Sequence, residues 1–213
     1  MANTAFIQPA DKTVAATAKP RTTARDKIVA AARQLILEKG YGFVSVDEIV
    51  SAADVSKGSF YHFFKSKEDL AVVALDDFIS DGGAIMMQGP FTEISDPVDR
   101  ALGFLKHVEG VSKTLWGSGC LLVVFSVDMA NTHPKVKKET VKILDRLIRN
   151  IGDVLTPLAE SLVIEMTGEA LTHQYLSVID GSIVYARATG KVGEIAANLR
   201  TFRKQMEALV GKD

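Results

Sequence analysis

A single cysteine, Cys120, leaves this chain of 213 residues no intramolecular disulfide to form, which excludes a small secreted domain held by cross-links. Proline is scarce too. Six in the whole chain allow long helical stretches to run unbroken. No apolar run approaches bilayer length: the longest, LLVVFSV at 121–127, falls far short of the roughly 20 residues a spanning helix needs. The first twenty residues, MANTAFIQPADKTVAATAKP, lack a basic start followed by an apolar stretch, so they do not read as a secretion signal, and a cytoplasmic location is expected. Their Ala- and Thr-rich composition reads as a disordered arm over 1–20. The four histidines and one cysteine show no metal-ligand spacing, and no glycine loop stands out as a phosphate cradle. Neither metal nor cofactor is expected. Excess charge of one sign is also missing, since the net charge is −1.

What is present is an uneven distribution of that charge. Residues 21–67 carry eight Lys or Arg against five acids, a net +3, while residues 68–213 carry a net −5. A basic front on an acidic body points to a module that faces a polyanion, joined to a second part with another task. Hydrophobic residues make up 47% of the chain, enough for a sizeable core.

Capping signals organise the front. Thr23 with Asp26 opens a helix with Ile28, Ala31, Ala32, Leu35 and Ile36 at helical spacing, and Gly40 ends it. Ser45 with Glu48 opens a second, short helix with Val46, Ile49, Val50 and Ala53 inward. Asp54, a residue type that tolerates a left-handed backbone, occupies the turn. Ser56 caps a third short helix to roughly His62, and Ser66 with Asp69 opens a longer one to about Asp81. Helices this short need mutual packing. Two of them across a tight turn, behind a longer one, form a helix-turn-helix pattern.

Beyond Gly82-Gly83, helical stretches recur at about 96–113, 120–131, 134–152, 168–189 and 194–210, with Pro134 placed for a first helical turn. No strand alternation persists, so the expected fold is all-α: a three-helix front over 21–67 and a helical bundle over 68–213, about nine helices in all.

The segment VSKGSFYHFFKSKEDL, Val55 to Leu70, mixes aromatic rings with lysines. On a helix, Phe60, Phe63 and Phe64 turn inward with Val55 and Ser59, while Lys57, Gly58, Tyr61 and His62 face outward or to the flanks. Gly58 weakens the helix by about 1 kcal/mol relative to Ala, and close approach by another backbone would justify it. Tyr61, His62, Lys65 and Lys67 are placed to contact phosphate, with Lys57, Ser56 and Ser59 as candidate base readers. A solvated helical hairpin with snorkelling lysines is the plain alternative on composition.

From about Thr22 to Leu70 the chain resembles the DNA-binding domain of the TetR family of bacterial transcription regulators. The resemblance rests on EKGY at 38–41, Ser45-Val46, and VSKGSFYHFFKSKEDL. It implies three DNA-binding helices, a fourth linking helix, and a helical body that binds a small-molecule effector and forms a homodimer. It places Ser45 at a phosphate-touching cap, Lys57, Gly58 and Ser59 in the recognition helix, and Tyr61, His62 and Lys67 at phosphate contacts. Asp54 replaces the usual turn glycine, and Phe63 stands where histidine is frequent.

In the body, Ile195, Leu199, Phe202, Met206 and Leu209 step by 4, 3, 4, 3, a coiled-coil seam. With Gly181, Ser182 and Ala186 of the preceding helix, they are expected to form a four-helix dimer interface. The alternative is that both stripes face the chain's own core. Phe104, His107, Trp116, Cys120, Phe125, Met129, His173 and Tyr175 are candidates to line an effector pocket, although each alone also reads as ordinary core or surface. Cys120 follows a Gly-Ser-Gly turn at a helix start, where a thiolate sensor for electrophiles or a small buried apolar residue are both readings.

These features lead to a DNA-binding regulator, most simply a repressor released by a small molecule. The competing readings are a helical protein–protein adaptor that does not bind DNA, and a cysteine-dependent enzyme using Cys120 with His107 or His173, for which no orienting partner is visible.

Overall fold

The computed structural model describes residues 23–129 and 132–211; the expected arm at 1–20 lies outside them. Among the described residues the chain forms nine α-helices: α1 (Ala24–Lys39), α2 (Val46–Ala52), α3 (Lys57–Phe63), α4 (Lys67–Met87), α5 (Pro97–Trp116), α6 (Leu121–Asp128), α7 (Pro134–Glu160), α8 (Gly168–Thr189) and α9 (Gly193–Leu209). Short 3-10 turns at Tyr41–Phe43 and Pro90–Glu93 precede α2 and α5. No single helix among the described residues is long and apolar enough to cross a membrane.

The residues gather into two compact units. One holds 23–80 with 121–141, the other 81–120 with 142–211. In the first, the caps act as their residue types require. Thr23 Oγ accepts from the Asp26 N–H at 3.2 Å, and the Asp26 carboxylate accepts from the Thr23 N–H at 3.0 Å. The reciprocal bonds saturate donors a helix start otherwise leaves open. Ile28, Ala32, Ile36, Ile49, Phe60, Leu70 and Leu75 make a core at 1% exposure or less. This core welds three helices that would not form singly.

Gly40 ends α1 at φ +87°, a conformation that costs a side-chain-bearing residue energy. A Cβ there would also lie 3.1 Å from Asp128 Oδ2 of α6. That carboxylate accepts from the Tyr41 N–H at 3.3 Å, and the buried Tyr41 ring meets Phe125 and His133 edge-on at 6.0 and 5.1 Å. Residues far along the chain thus complete the wall of the first unit beside its first turn.

In the second unit, α5, α8 and α9 pack around Phe104, Tyr175 and Phe202. Tyr175 lies 6.1 Å from Phe104 and 5.3 Å from Phe202, ring centre to ring centre. At one side of this apolar centre Glu109 accepts from Arg200 Nε at 2.7 Å and from Arg203 Nε at 3.0 Å. The guanidiniums hold its carboxyl below the usual range against the opposing effect of burial.

Three helical expectations change. Helix α4 continues through Gly82-Gly83 to Met87, where burial of Met86, 7% exposed, offsets two weak helix formers. Helix α7 continues through Pro157 to Glu160. Leu155, Leu158 and Ala159 on either side of the proline are buried, and packing holds the turn that propensity disfavours. The seam of α9 is the largest correction. Ile195, Leu199, Phe202 and Met206 are 1–3% exposed in the single chain, packed on α5 and α8 of the same copy. They cannot also meet a partner.

Candidate nucleic-acid interface

Helices α2 and α3 are joined at Asp54, the one residue other than glycine with positive φ (52°) among those described. The aspartate takes the left-handed turn expected of it. Ser45 caps α2 reciprocally with Glu48: Ser45 Oγ accepts from the Glu48 N–H, and Glu48 Oε2 accepts from the Ser45 N–H at 2.8 Å. Glu48 Oε1 accepts from Lys39 Nζ at 2.9 Å. The lysine bond, then the Ser45 bonds, pull the Glu48 carboxyl down to about 2. This ties the end of α1 to the start of α2.

Ser56 caps α3, its hydroxyl accepting from the Ser59 N–H at 3.1 Å. The helix hides one residue completely, Phe60, and Phe64 takes the next core position from just beyond its end. Lys57, Gly58, Tyr61 and His62 are exposed, with Tyr61 at 54%. Ser59 is half-buried, while Ser45, Ser56 and Lys65 are exposed. Phe63 departs from the expectation: it is 40% exposed, edge-on to His62 at 4.8 Å. The chain leaves helical geometry at Phe64 (φ −132°, ψ 124°), so Phe64 and not Phe63 swings into the core, where Arg25 stands 5.9 Å from its ring centre.

Gly58 has an ordinary backbone conformation, and a Cβ placed on it would meet nothing nearer than Ser56 Oγ at 3.7 Å. Nothing among the described residues requires a glycine there, and the open strip on α3 is available to an outside neighbour. Lys57 opens α3 beside it, its Nζ 2.8 Å from Asp47 Oδ1 of α2.

Lys67 is the residue most altered by being seen in place. Its half-buried ammonium donates to the Tyr41 carbonyl at 3.0 Å and the Val44 carbonyl at 2.8 Å, and lies 4.0 Å from the Tyr41 ring centre. Burial holds its pKa below the usual lysine range. Two of its three N–H donors fix the turn before α2, leaving one for an external acceptor. Ser66 accepts from the Asp69 N–H at 3.1 Å, but the Asp69 carboxylate pairs with Lys135 of α7.

The eight candidates for an effector pocket are divided between the two units. Phe125 and Met129 belong to the first unit, and Phe125 packs on Tyr41. Phe104 and Tyr175 lie together in the second unit's core. His107 Nε2 sits 2.8 Å from the Ile85 carbonyl; a carbonyl only accepts, so that nitrogen carries the proton. His173 is exposed. Trp116 lines a cavity of about 90 Å³ with Gly117, Ser118, Gly119, Ile183, Ala186, Arg187 and Val192. That is well below the ~300 Å³ at which effector-sized pockets begin. Cys120 is 6% exposed at the start of α6, and burial works against thiolate reactivity.

Sequence reading missed Asp47, whose only signal was an acid in the first turn of α2, a position where helix-dipole stabilisation is explanation enough. It also missed Phe43, 82% exposed in the turn before α2.

Two capped helices across a tight turn, with Phe60 and Phe64 inside and Lys57 outside, have the form of a helix-turn-helix, in a chain whose described residues are otherwise helical. Residues 28–74 match the family model "Bacterial regulatory proteins, tetR family". The chain is 33% identical over 129 residues to the HTH-type transcriptional repressor DhaR of Mycobacterium sp. strain GP1, a match covering 61% of this chain and 64% of DhaR, just under two thirds. The fold is shared with a TetR-family regulator from Agrobacterium tumefaciens (TM-score 0.72, 22% identity, 88% of this chain and 98% of that one). It is shared also with the regulatory protein TetR from Rhodobacter sphaeroides (TM-score 0.72, 25% identity, 85% and 97%). The chain is thus similar to TetR-family transcriptional regulators, in its helix-turn-helix segment by sequence and over most of its length by fold.

Proposed function

We propose that the protein is a cytoplasmic repressor that binds a palindromic operator as a homodimer and lets go when a small molecule occupies its helical body. The outer face of α3 carries this reading: Lys57, Gly58, Tyr61 and His62 stand exposed on a helix anchored in the core by Phe60, and nothing among the described residues calls for a glycine at 58. The first residues of such a helix contact base edges in a major groove, and flanking donors grip phosphates. Lys57, Ser56 and Ser59 are the base readers. Ser45, Tyr61, His62, Lys65 and the remaining donor of Lys67 are the phosphate contacts.

A palindrome needs two copies of α3 about one helical turn apart, ~34 Å. Since the α9 seam is consumed in its own core, the pairing surface is the outward stripe of α8. Ser177, Gly181, Val184 and Ala188 recur there at 4, 3, 4 spacing, all exposed, with Tyr185 alongside at 49%. Of the small residues expected at this surface, Gly181 faces out, whereas Ser182 and Ala186 are 4% exposed and belong to the core. For the effector, Tyr175 offers a buried hydroxyl with no partner among the described residues, inside an otherwise aromatic setting. That is the kind of polar group that orients a ligand in an apolar site. An effector acts by its differential affinity for the two spacings of α3.

The test is selection of duplexes from a random library, followed by binding at several salt concentrations. A palindromic consensus and a steep fall of affinity with salt are expected. Tyr61→Ala weakens binding to all sequences and flattens the salt slope, whereas Lys57→Ala shifts base preference. A chain that enriches no sequence and binds duplex independently of salt is not this regulator.

A further inference from the structure

We propose that Asp47 is a specificity-determining residue: it holds the ammonium of Lys57 in one place, and so turns a promiscuous cation into a base reader. The inference rests on the DNA-binding reading of α3.

Asp47 lies in the first turn of α2, and its side chain is 72% exposed on the surface assigned to DNA. An acid at such a surface opposes binding, because it repels phosphates. The helix dipole favours an acid in that first turn, but the capping bonds there are all made by Ser45 and Glu48, so the carboxylate is left to bond elsewhere. Asp47 instead reaches across the helix-turn-helix to Lys57, the first residue of α3, at 2.8 Å. The pairing raises the Lys57 pKa, through the hydrogen bond first and the charge second.

The consequence follows from the chemistry of lysine. A free lysine is a point charge on a four-carbon stem that satisfies almost any acceptor it can reach, phosphate included. Tethered by a carboxylate, it loses most of that reach and part of its attraction to the backbone. Two N–H donors remain, aimed where the pair directs them. Guanine offers two acceptors in the major groove, O6 and N7, and so fits such a donor pair. Asp47 thereby lowers affinity for all DNA and widens the gap between right and wrong sequences, specificity gained through a repulsive element.

The experiment is a double-mutant cycle on the full chain: wild type, Asp47→Asn, Lys57→Ala and the double variant. Each is measured for affinity to the selected operator, to operators changed one base pair at a time, and to random duplex. Asp47→Asn is expected to bind random duplex more tightly, with a salt slope steeper by about one counterion. It should lose about tenfold in discrimination at the one base pair whose preference Lys57→Ala also erases. In the Lys57→Ala background the same substitution should leave base preference unchanged, because Asp47 acts through Lys57. Discrimination that survives Asp47→Asn, or falls equally without Lys57, overturns the proposal while leaving DNA binding by α3 standing. Should the wild-type chain select no sequence, the DNA-binding reading fails and this one with it. If Asp47→Asn lowers the melting temperature, Asp47→Glu keeps the first-turn charge and moves the carboxylate by one methylene. An unchanged base preference in that stably folded variant counts equally against the proposal.

Discussion

Helices α3 and α9 both carry an apolar stripe beside a polar face, yet only one of them says where its stripe goes. Helix α3 is seven residues long and has room for a single fully buried side chain, Phe60. Everything else on it is flank or solvent. Its one core position falls to Phe60, and Lys57 is left outside. Helix α9 has seventeen residues and a repeating seam that fits equally well against its own chain or a second copy. In the structure the seam closes on α5 and α8, with Glu109 bridging Arg200 and Arg203 beside it. A hydrophobic period establishes that a face is covered; what covers it is decided by the neighbours, which lie far away in sequence.

The sharpest test of this contrast removes one ring from each helix. Phe60→Ala and Phe202→Ala should each cost about 3–5 kcal/mol in denaturant unfolding. Both losses should be independent of protein concentration, since both rings are buried within one chain. A Phe202→Ala loss that shrinks on dilution would return α9 to the dimer interface. Tyr61→Ala, one residue from Phe60 but on the outer face, should stay within about 0.5 kcal/mol of wild type.

The outward stripe of α8 supplies the opposite case. Val184→Lys places a charge at a position 53% exposed in the single chain. Thermal stability at low concentration should hold, while sedimentation shows the dimer dissociating at concentrations where wild type is paired. Operator affinity should fall with it, because two half-sites are no longer engaged together. A dimer that survives this substitution is not built on α8.

Legibility followed the range of the interactions. The front of the chain was readable because its determinants are local: caps at Ser45 and Ser56, a left-handed turn at Asp54, and core residues three or four apart. Phe63 was misplaced because periodicity treats a helix as endless, whereas α3 stops there and the chain turns at Phe64. Lys67 read as a free cation, since its acceptors are two main-chain carbonyls more than twenty residues away, and carbonyls leave no mark in a sequence. The pairing of Asp47 with Lys57 was hidden for a similar reason: ten residues apart, they meet only once the turn has folded.

A smaller effect tests whether the second unit's centre is finished as it stands. The Tyr175 hydroxyl is fully buried and has no partner among the described residues, and burial pushes its pKa far above the ordinary value. An unsatisfied buried donor costs stability, so Tyr175→Phe should stabilise the free protein by about 1 kcal/mol. At this chain length that is a rise of roughly 2–4 °C in Tm. The same variant should respond less to effectors that carry a hydrogen-bond acceptor. A fall in Tm would show that the hydroxyl already has its partner.

The mildest perturbation returns to the start of α2. Glu48 is only partly exposed, and the bond from Lys39, then those from Ser45, draw its carboxyl down to about 2, whereas an unfolded glutamate titrates near 4.5. A depressed folded-state value stabilises the fold above the unfolded pKa, and that contribution drains away as pH falls from about 4.5 toward 2. Glu48→Gln keeps a side chain that can reach Ser45 but cannot titrate, so its unfolding midpoint should fall less steeply over that window than the wild type's. Solvent screening keeps the difference small. Because Lys39 and Glu48 link α1 to α2 and both belong to the first unit, the altered acid dependence should appear in operator binding and first-unit unfolding, and not in effector affinity. An equal change in effector affinity would mean that the two regions titrate as one.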